Sequence, residues 1–559
     1  MAAAVAAALA GVLPAPVATA GLVAGGVAVA TLGVMVARTV AAGKRAKVLA
    51  AVPTDPLHDA FLARKAGIAE ALADAIRLPT VSYDRPDVAH RRPACMGFHK
   101  HAGGAGETAA CGPAAGVERT AALEAYWARD DVRASRAALV DMHALLAARF
   151  PRMHTRLLRT VVNGHSLAFV WPGTDVTAQA IGLYAHMDVV PADDAAAWAH
   201  PPFGGDVADG YVWGRGAIDD KQSVIGICAA VEYLLEAGYV PRRTVVLLFG
   251  HDEEIGGDEG AAELAHWVQH NVTAGAAGQK PLEFLLDEGL FVLRGAVPTV
   301  APRTALICTA EKGFVNVEAS VTVEGGHASA PPAATAIGIV SKAVTALEAS
   351  PFPSHFSDAG PVPHMFDTLL PYLAFPMRFL FANRWATSRL IDAVFGANPK
   401  TALLVRTTTA PTIIRGGTKA NTLPATASAV INHRIHPTES VASVLARDAA
   451  VIADPRVTLR AFGGVEPSPV SSHTSPAFAL LTAAVEGIFV DTVAAPALMV
   501  GATDSHWSEH LADNLYRHCP TEMHASETGM FHGRDERIGV DNLARIAAFY
   551  ARVISDGAS

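Results

Sequence analysis

The sequence contains little cysteine, little charge and few aromatic side chains. Only 5 of its 559 residues are cysteine, 17% are charged and 7% are aromatic. The cysteines form no CxxC pair and are too scattered for a disulfide framework, although Cys95 and Cys111 flank one Gly-rich stretch and could pair. The low charge, together with 51% hydrophobic residues, excludes an intrinsically disordered chain.

Basic residues are also scarce. The chain has 44 Lys and Arg against 53 Asp and Glu, which gives a net charge of −9, and no basic cluster appears in its body. Because phosphate binding needs clustered Lys and Arg, nucleic acid is not an expected partner. The length predicts roughly three to four domain-sized units.

The first 37 residues contain no charged side chain. The apolar run at 21–37 is followed by the cations Arg38, Lys44, Arg45 and Lys47. This pattern predicts a membrane segment at 18–37 within an N-terminal segment at 1–50, which either anchors the protein or is cleaved as a signal. An anchor is favoured because no basic residue precedes the run. The positive-inside rule would then leave the body in the cytoplasm.

Residues 51–312 alternate short apolar runs with helical stretches, which is typical of an α/β domain with a largely parallel sheet. Within this part, residues 85–116 are rich in Gly, Pro and His and predict a surface insertion. Residues 313–464 show a different order of strands and helices around an irregular stretch, and predict an inserted α+β module. Residues 465–559 return to the α/β pattern and complete the first domain.

Side chains of the types that bind metal ions follow the apolar runs at 180–185 and 244–250. His186 and Asp188 end the first run, and an uninterrupted acidic triplet, Asp252 to Glu254, follows the second. A His at a strand end is more often structural than functional. Three acids after a buried strand are harder to explain structurally, because such close carboxylates raise each other's pKa unless cations or a proton relieve them.

Two further junctions carry acids. Asp219 and Asp220 follow a Gly-rich loop and precede a helix, so they could either cap that helix or bridge cations, while Asp287 follows the run at 283–286. His, Asp and Glu ligands without Cys suit Zn²⁺ or a similar divalent ion, and their number suits two ions in one site. Such a site activates water and clamps a carbonyl, so hydrolysis is the expected chemistry.

The chain resembles the dinuclear zinc metallopeptidase and aminoacylase family over residues 55–554. The resemblance is to its branch of carboxypeptidase S and secreted N-acyl amino acid amidohydrolases. It rests on the motifs HMDVVP, WAHPPFGG, GYVWGRGAIDDK, HDEEIGG, LDEG, GGHAS, GGTKANTLP and GMFHGRDERI. The resemblance implies a zinc-exopeptidase-like α/β catalytic domain with an inserted α+β lid and dimerisation domain.

The resemblance also implies a ligand set for two Zn²⁺ ions, with Co²⁺ or Mn²⁺ as alternatives. Asp219 would bridge the two ions. His186 and Asp287 would complete one site, and Glu254 and His532 would complete the other.

Three catalytic roles are carried over in the same way. Asp188 would orient a histidine ligand, and Glu253 would be the general base that takes a proton from water and passes it to the leaving amine. His327 would stabilise the oxyanion, from the partner subunit of a homodimer formed through the lid.

Three more residues match or depart from positions that hold the substrate. Asn421 and Arg434 match such positions. His506 stands in GATDSHW where many members of the family carry an Arg, which favours a neutral or bulkier acyl group on the substrate.

The expected function is metal-dependent cleavage of an amide next to an amino acid, in a short peptide or an N-acyl amino acid. Two alternatives are a non-catalytic membrane-anchored binding protein on the same scaffold and an aminopeptidase or deacetylase. The resemblance implies a vacuolar, lumenal or secreted location, which conflicts with the charge rule at the N-terminal segment.

Overall fold

The computed structural model describes most of the chain. It covers residues 15–53, 55–84, 124–273, 275–276, 278–356 and 360–559, and for residues 15–27 it describes only the helical backbone. The predicted surface insertion at 85–116, with Cys95 and Cys111, lies outside the described residues. Cys228, Cys308 and Cys519 are buried and unpaired.

The bounds of the elements are as follows. The strands are β1 (Leu158–Val162), β2 (Ser166–Trp171), β3 (Ala180–His186), β4 (Asp206–Ala208), β5 (Tyr211–Trp213), β6 (Val245–Gly250), β7 (Leu282–Arg294), β8 (Arg303–Glu311), β9 (Gly313–Thr322), β10 (Gly326–His327), β11 (Thr408–Gly416), β12 (Thr422–Leu423), β13 (Thr426–Ile435), β14 (Val457–Val465), β15 (Thr492–Met499), β16 (Ala512–His524) and β17 (Arg537–Gly539). The main helices are α1 (Ala15–Gly43), α2 (Pro56–Leu62), α3 (Lys65–Ile76), α4 (Asp130–Arg149), α5 (Pro151–Arg156), α6 (Lys221–Glu236), α7 (Ala261–Asn271), α8 (Ala336–Ala349), α9 (Pro361–Leu369), α10 (Met377–Ala382), α11 (Arg384–Ala397), α12 (Pro399–Val405), α13 (Val441–Ile452), α14 (Pro476–Ile488) and α15 (Val540–Gly557).

An eight-stranded sheet in the order β1-β2-β6-β3-β7-β16-β8-β15 forms the centre of the molecule. Its central strands β6, β3, β7 and β16 are parallel, as are β8 and β15. Strands β3 and β6 are buried along their whole length, which is why each is a continuous apolar run in the sequence. The predicted α/β class with a largely parallel central sheet is confirmed.

Helices α6 and α15 pack against each other beside this sheet. Gly226 permits the close approach, because a Cβ at that position would lie 2.9 Å from Cγ2 of Ile546. The sequence pattern predicts helices at 223–236, 260–270 and 541–554, and α6, α7 and α15 match them within a few residues.

His518 lies on β16 in the core and is fully buried. Its Nδ1–H donates to the backbone oxygens of Leu290 at 2.8 Å and Leu306 at 3.1 Å. Burial lowers the pKa of His518 to about 4, although both carbonyls favour the charged ring. The ring is therefore neutral in the folded protein near pH 7.

We expect the free energy of unfolding to fall between pH 6.5 and pH 4, because there the unfolded chain protonates His518 while the folded chain does not. A folded pKa lower by about 2.5 corresponds to at most about 3 kcal/mol at pH 4. Denaturant unfolding of wild type and His518→Gln at pH 7 and pH 4.5 measures this, and the variant should lose less stability on acidification. An equal loss in both proteins would contradict the assignment.

A second, four-stranded antiparallel sheet has the order β11-β13-β9-β14. Strand β9 alternates buried and partly exposed residues, as its sequence predicts, and helices α8 and α13 pack on its buried side. This sheet and its helices lie between residues 313 and 465, in the region predicted as an inserted α+β module.

The stretch expected to be irregular is helical instead, since residues 361–405 form α9 to α12. Prolines separate these helices, and they are too short to show a clear helical period in the sequence. Aromatic packing holds them together: the rings of Phe366 and Phe381 stack at 4.1 Å, and both contact Phe395. Helix α9 packs against β15 of the large sheet.

Helix α1 contains most of the apolar run at the N-terminus, and its C-terminal half contacts α10. Among the described residues, no helix combines the length and apolar character needed to cross a membrane. Residues 1–14 and the side chains of 15–27 lie outside the described residues. The anchor and the side of a membrane on which the body lies stay predictions.

Candidate metal centre

The predicted histidine and acidic ligands lie close together where neighbouring parallel strands end. His186, the last residue of β3, pairs in register with Gly250, the last residue of β6. The turn after β6 carries Glu253 and Glu254, and Asp219 immediately precedes Asp220 and α6. Residues far apart in the chain therefore converge at the carboxyl edge of the sheet, as expected for an α/β fold.

Asp219 lies between two histidines. Its Oδ1 is 3.0 Å from Nε2 of His186, and its Oδ2 is 2.8 Å from Nε2 of His532. His532 also lies 3.3 Å from Oε2 of Glu254. One buried carboxylate thus directs each oxygen to a different imidazole, the arrangement required of a ligand shared by two ions.

Two groups of side chains can each surround a metal ion. One consists of His186, Glu253 and Glu288, and the other of His186, Asp219 and Glu254, with the ligand atoms of each group within 4.8 Å of one another. The donors are imidazole nitrogens and carboxylate oxygens, which suit Zn²⁺, Co²⁺ or Mn²⁺.

The structure places Glu288, rather than the predicted Asp287, in these groups. Both residues lie inside β7, which continues to Arg294, whereas the sequence predicted a strand that ends before Asp287. Of the two residues, only Glu288 is in either group. Glu288 lies 3.7 Å from Nε2 of His186, whereas Asp287 accepts the amide hydrogen of Ser505 at 2.7 Å.

We expect Glu288→Gln to weaken metal binding more than Asp287→Asn does. The first change replaces a carboxylate that faces the imidazole of His186. The second changes a group that holds a neighbouring turn by a hydrogen bond, and changes of that kind usually lower metal affinity about 10–100-fold. Metal content after dialysis into a buffer of fixed free zinc compares the two. Metal loss in Asp287→Asn with full retention in Glu288→Gln would show that the sequence-based assignment was correct.

The acids of the cluster repel one another. Burial and the charge of Asp219 raise the pKa of Glu254 to about 7, and the same two causes raise the pKa of Glu288. Burial and Glu288 raise the pKa of Glu253. Divalent cations would relieve this repulsion, so the residues present fit metal binding.

Asp188 ties the ligand-bearing segments together. Its carboxylate accepts the backbone N–H groups of Glu253 and Glu254, each at 3.2 Å, and the hydroxyl of Ser82 at 2.6 Å. Nδ1 of His186 donates to the backbone oxygen of Asp188 at 3.0 Å and lies 3.4 Å from its Oδ1. Asp188 therefore orients both the histidine and the glutamate turn.

Arg215 and Glu536 form a second support that sequence reasoning did not assign. Glu536 is fully buried, and its Oε1 accepts the N–H groups of Ile218 and Asp219 at 2.7 and 3.2 Å. Arg215 contacts its Oε2 at 2.6 Å and donates to the backbone oxygen of His532 at 3.2 Å. Both residues stand inside the motifs WGRG and GRDERI, which is the signal that could have found them.

Arg517 and Glu311 support the turn that carries His506. Arg517 is buried and donates through Nε to Glu311 at 2.9 Å, and Glu311 accepts both the N–H and the hydroxyl of Thr503. Nδ1 of His506 donates to the backbone oxygen of Thr503 at 2.6 Å, and the neighbouring Ser505 holds Asp287. The turn that carries His506 is therefore tied to Asp287, the neighbour of Glu288 on β7.

The remaining predicted residues lie in the second module. His327, on an exposed two-stranded ribbon formed by β10 and β12, contacts Ser329, and the backbone of Asn421 pairs with Ala328 on the same ribbon. Arg434 lies on β13 with its guanidinium over the ring of Phe314. Among the described residues no hydrogen bond or ion pair joins His327 or Asn421 to the metal cluster.

A comparison with protein families places this site in context, since the model of peptidase family M20/M25/M40 matches residues 182–556. The chain belongs to peptidase family M20/M25/M40. Its members are metallohydrolases, so the protein is an enzyme of that kind. The resemblance seen in the sequence is confirmed.

Named relatives agree with the branch that the motifs suggested. The chain is 37% identical over 425 residues to a probable carboxypeptidase S-like 2 of Dictyostelium discoideum, covering 75% of this chain and 79% of that one. It is 37% identical over 423 residues to an N-fatty-acyl-amino acid synthase/hydrolase of Danio rerio, with coverages of 75% and 81%. Carboxypeptidase S of Saccharomyces cerevisiae is 30% identical over 466 residues, with coverages of 74% and 78%.

Solved structures share the fold at low identity. The di-peptidase Dug1p of Saccharomyces cerevisiae superposes with a TM-score of 0.54 at 14% identity, over 89% of this chain and 98% of that one. A metallo-carboxypeptidase of Sulfolobus solfataricus gives a TM-score of 0.52 at 16% identity, over 75% and 93%. These likenesses support the zinc-exopeptidase-like fold class.

Proposed function

We propose that the protein uses two metal ions to hydrolyse the amide between an acyl group and the nitrogen of an amino acid. The observation that carries the proposal is Asp219, whose two oxygens face His186 and His532. We assign His186, Asp219 and Glu288 to one ion, and Asp219, Glu254 and His532 to the other. When bound, the ions would lower the pKa of water and polarise the substrate carbonyl.

The chain's own residues supply proton transfer and positioning. Glu253 lies in one of the two ligand groups and is assigned to neither ion, so in this proposal it removes a proton from water and delivers it to the departing nitrogen. Asp188 and Glu536 fix the ligands so that the site does not have to reorganise during the reaction.

The substrate is an N-acyl amino acid or a short peptide with a free carboxyl group. Two relatives whose names specify N-fatty-acyl-amino acids or carboxypeptidase S support this class. Burial lowers the pKa of His506, so this position offers a neutral imidazole where a guanidinium would bind a carboxylate. We therefore assign the acyl side of the substrate to His506, and recognition of the carboxylate to Asn421 and Arg434.

A hydrolysis panel tests this proposal. Zinc-loaded protein is assayed against N-acyl amino acids of several chain lengths and against dipeptides with free and with blocked N-termini. Cleavage of N-acyl amino acids or N-blocked dipeptides is expected. Cleavage of only those peptides that have a free N-terminus would indicate an aminopeptidase, and no turnover by protein that holds two ions would indicate a binding protein.

His327 completes the site from a second subunit in this proposal. It lies on an exposed ribbon, and among the described residues it shares no hydrogen bond or ion pair with its own cluster. The outer strand β11 of the same module exposes Ile413 and Ile414 at the edge of its sheet. An exposed apolar edge strand favours pairing with a second copy.

Mixing two inactive variants is expected to restore activity if His327 acts in the partner's site. A heterodimer of Glu253→Gln and His327→Ala contains one site with both residues intact, so a randomly reassorted equal mixture recovers about a quarter of wild-type turnover. The measurement is turnover before and after dissociation and reassociation. Each variant that is dissociated and reassociated alone is the control. If a mixture shown to contain heterodimers recovers no turnover, His327 does not act in the site of the partner subunit.

A further inference from the structure

Exposed apolar side chains are concentrated in two segments that touch. Of the large apolar residues that are exposed in the described chain, half lie either between residues 29 and 52 or between 375 and 394. The second group consists of Phe375, Trp385, Leu390 and Val394, with Phe375 76% and Trp385 58% exposed. Monomeric soluble proteins rarely leave such a concentration uncovered.

Helix α1 turns its polar and small side chains toward the body of the protein and its apolar side chains outward, the reverse of a helix on the surface of a soluble protein. The side chains that face the body of the protein follow a helical spacing and include Thr31, Met35, Thr39 and Ala42, whereas the outward side chains are Val29, Leu32, Val34, Val36 and Val40. A helix in water would present its valines to the body and its threonines to the solvent. Polar and small residues at the contact, with apolar residues outside, are typical of helices surrounded by lipid.

Specific hydrogen bonds join α1 to the helices at 377–397. Nδ2 of Asn383 donates to the backbone oxygen of Met35 at 3.1 Å, and Nε of Arg38 donates to that of Ala382 at 3.0 Å. The backbone N–H of Lys47 donates to the hydroxyl of Tyr372 at 3.2 Å. The two apolar groups therefore lie on elements that contact each other, and together they are here called the apolar face: residues 29–40 of α1 with Phe375, Trp385, Leu390 and Val394.

The surroundings of this face are basic in a chain of net charge −9. Residues 15–53 contain four cations and no Asp or Glu. Around α10 to α12 stand the cations Arg378, Arg384, Arg389 and Lys400 and the acids Asp367 and Asp392, of which Asp367 pairs with Arg384. Lys44, Arg45 and Arg389 are exposed. Cations around an apolar surface complement the negative charge of anionic lipid headgroups.

We propose that the apolar face docks on an anionic lipid bilayer, with Trp385 and Phe375 entering the interface. Aromatic side chains prefer the headgroup level, and clustered Lys and Arg strengthen binding to anionic lipid. The outward valines of α1 are then covered by acyl chains. A second copy of this chain is the other occupant that could cover the face, and the experiment separates the two.

Fluorescence quenching with vesicles tests the docking of Trp385 in the full chain. Vesicles of phosphatidylcholine and phosphatidylserine with brominated acyl chains are added to wild type and to Trp385→Phe. The chain has 7 tryptophans, so the difference between the two proteins isolates the signal of Trp385. Stronger quenching of the wild type is expected. Flotation with equal quenching of both proteins would show that α1 binds alone, and would overturn the proposal.

Vesicle flotation of surface variants measures the contribution of the face. Because Phe375 and Trp385 are two large apolar side chains that would leave water on docking, Phe375→Ser with Trp385→Ser should weaken partitioning at least about tenfold. Val176→Ser with Val240→Ser is the matched control, since these valines are 72% and 66% exposed outside the face. Charge reversal at Lys44, Arg45 and Arg389 should remove the preference for phosphatidylserine.

Two outcomes of these measurements oppose the proposal. The proposal would be overturned if the wild type bound neither vesicles of phosphatidylcholine alone nor vesicles that also contain phosphatidylserine. A lipid-free dimer in sedimentation velocity that Phe375→Ser with Trp385→Ser dissociates would assign the face to a second copy instead. The readout is binding, so a failure of the proposed hydrolysis would leave this result unaffected.

Discussion

Replacement of Glu253 by glutamine is expected to abolish hydrolysis while both metal ions stay bound. The amide has nearly the size of the carboxylate but cannot take a proton from water, and loss of a general base typically costs about 10²–10⁴-fold in rate. Glu253 lies in one of the two groups but is assigned to neither ion, and the five assigned ligands are unchanged, so the affinity for metal should change little. The measurement is kcat together with metal content by mass spectrometry on the same sample.

Glu259→Gln is the matched control for this change. Glu259 lies on the same loop after β6, but it is in neither group of metal-competent side chains. It should retain kcat within about threefold, as surface substitutions away from a site usually do. Wild-type turnover in Glu253→Gln would show that another group acts as the base.

Replacement of Asp219 by asparagine is expected to leave fewer than one ion per chain. Each oxygen of this carboxylate faces one histidine, at 3.0 Å and 2.8 Å, and the amide nitrogen of asparagine would face one of these positions with hydrogens instead of a lone pair. One ion loses this ligand and the other keeps only a neutral amide oxygen, so hydrolysis should also fall below detection. Equilibrium dialysis against zinc, followed by metal analysis, measures the effect.

The adjacent Asp220 provides the control. It is equally buried, but it accepts the backbone N–H of His186 at 3.3 Å and the side chain of Gln222 at 3.1 Å. Asp220→Asn should keep both ions. Loss of metal in Asp220→Asn with retention in Asp219→Asn would exchange the roles of the two carboxylates.

The sequence predicted those strands whose own residues show a clear hydrophobic pattern. Strands β3 and β6 are uninterrupted apolar runs, and β9 alternates, so each was found from the sequence. Strand β7 was predicted too short, because Asp287 and Glu288 interrupt its apolar run. Helices α9 to α12 were missed because tertiary aromatic packing, rather than their own periodicity, stabilises them.

The site residues that lie next to a recognisable strand could also be predicted from the sequence. His186 and the acids at 252–254 stand directly after buried strands, so local pattern alone indicated them. His532 lies 313 residues from Asp219, and only the resemblance brought the two together. Whether Glu288 or Asp287 holds an ion stays a prediction. Glu288 lies 3.7 Å from Nε2 of His186, and no sequence pattern specifies which of the two residues faces that ring.

Zinc titration of the chelated protein tests the central claim most directly. Metal-free protein is titrated with zinc in known amounts while hydrolysis of an N-acyl amino acid is followed. The proposed site predicts no turnover without metal and a rise that reaches its plateau at two ions per chain. Full turnover by metal-free protein, or a plateau at one ion per chain, would contradict it.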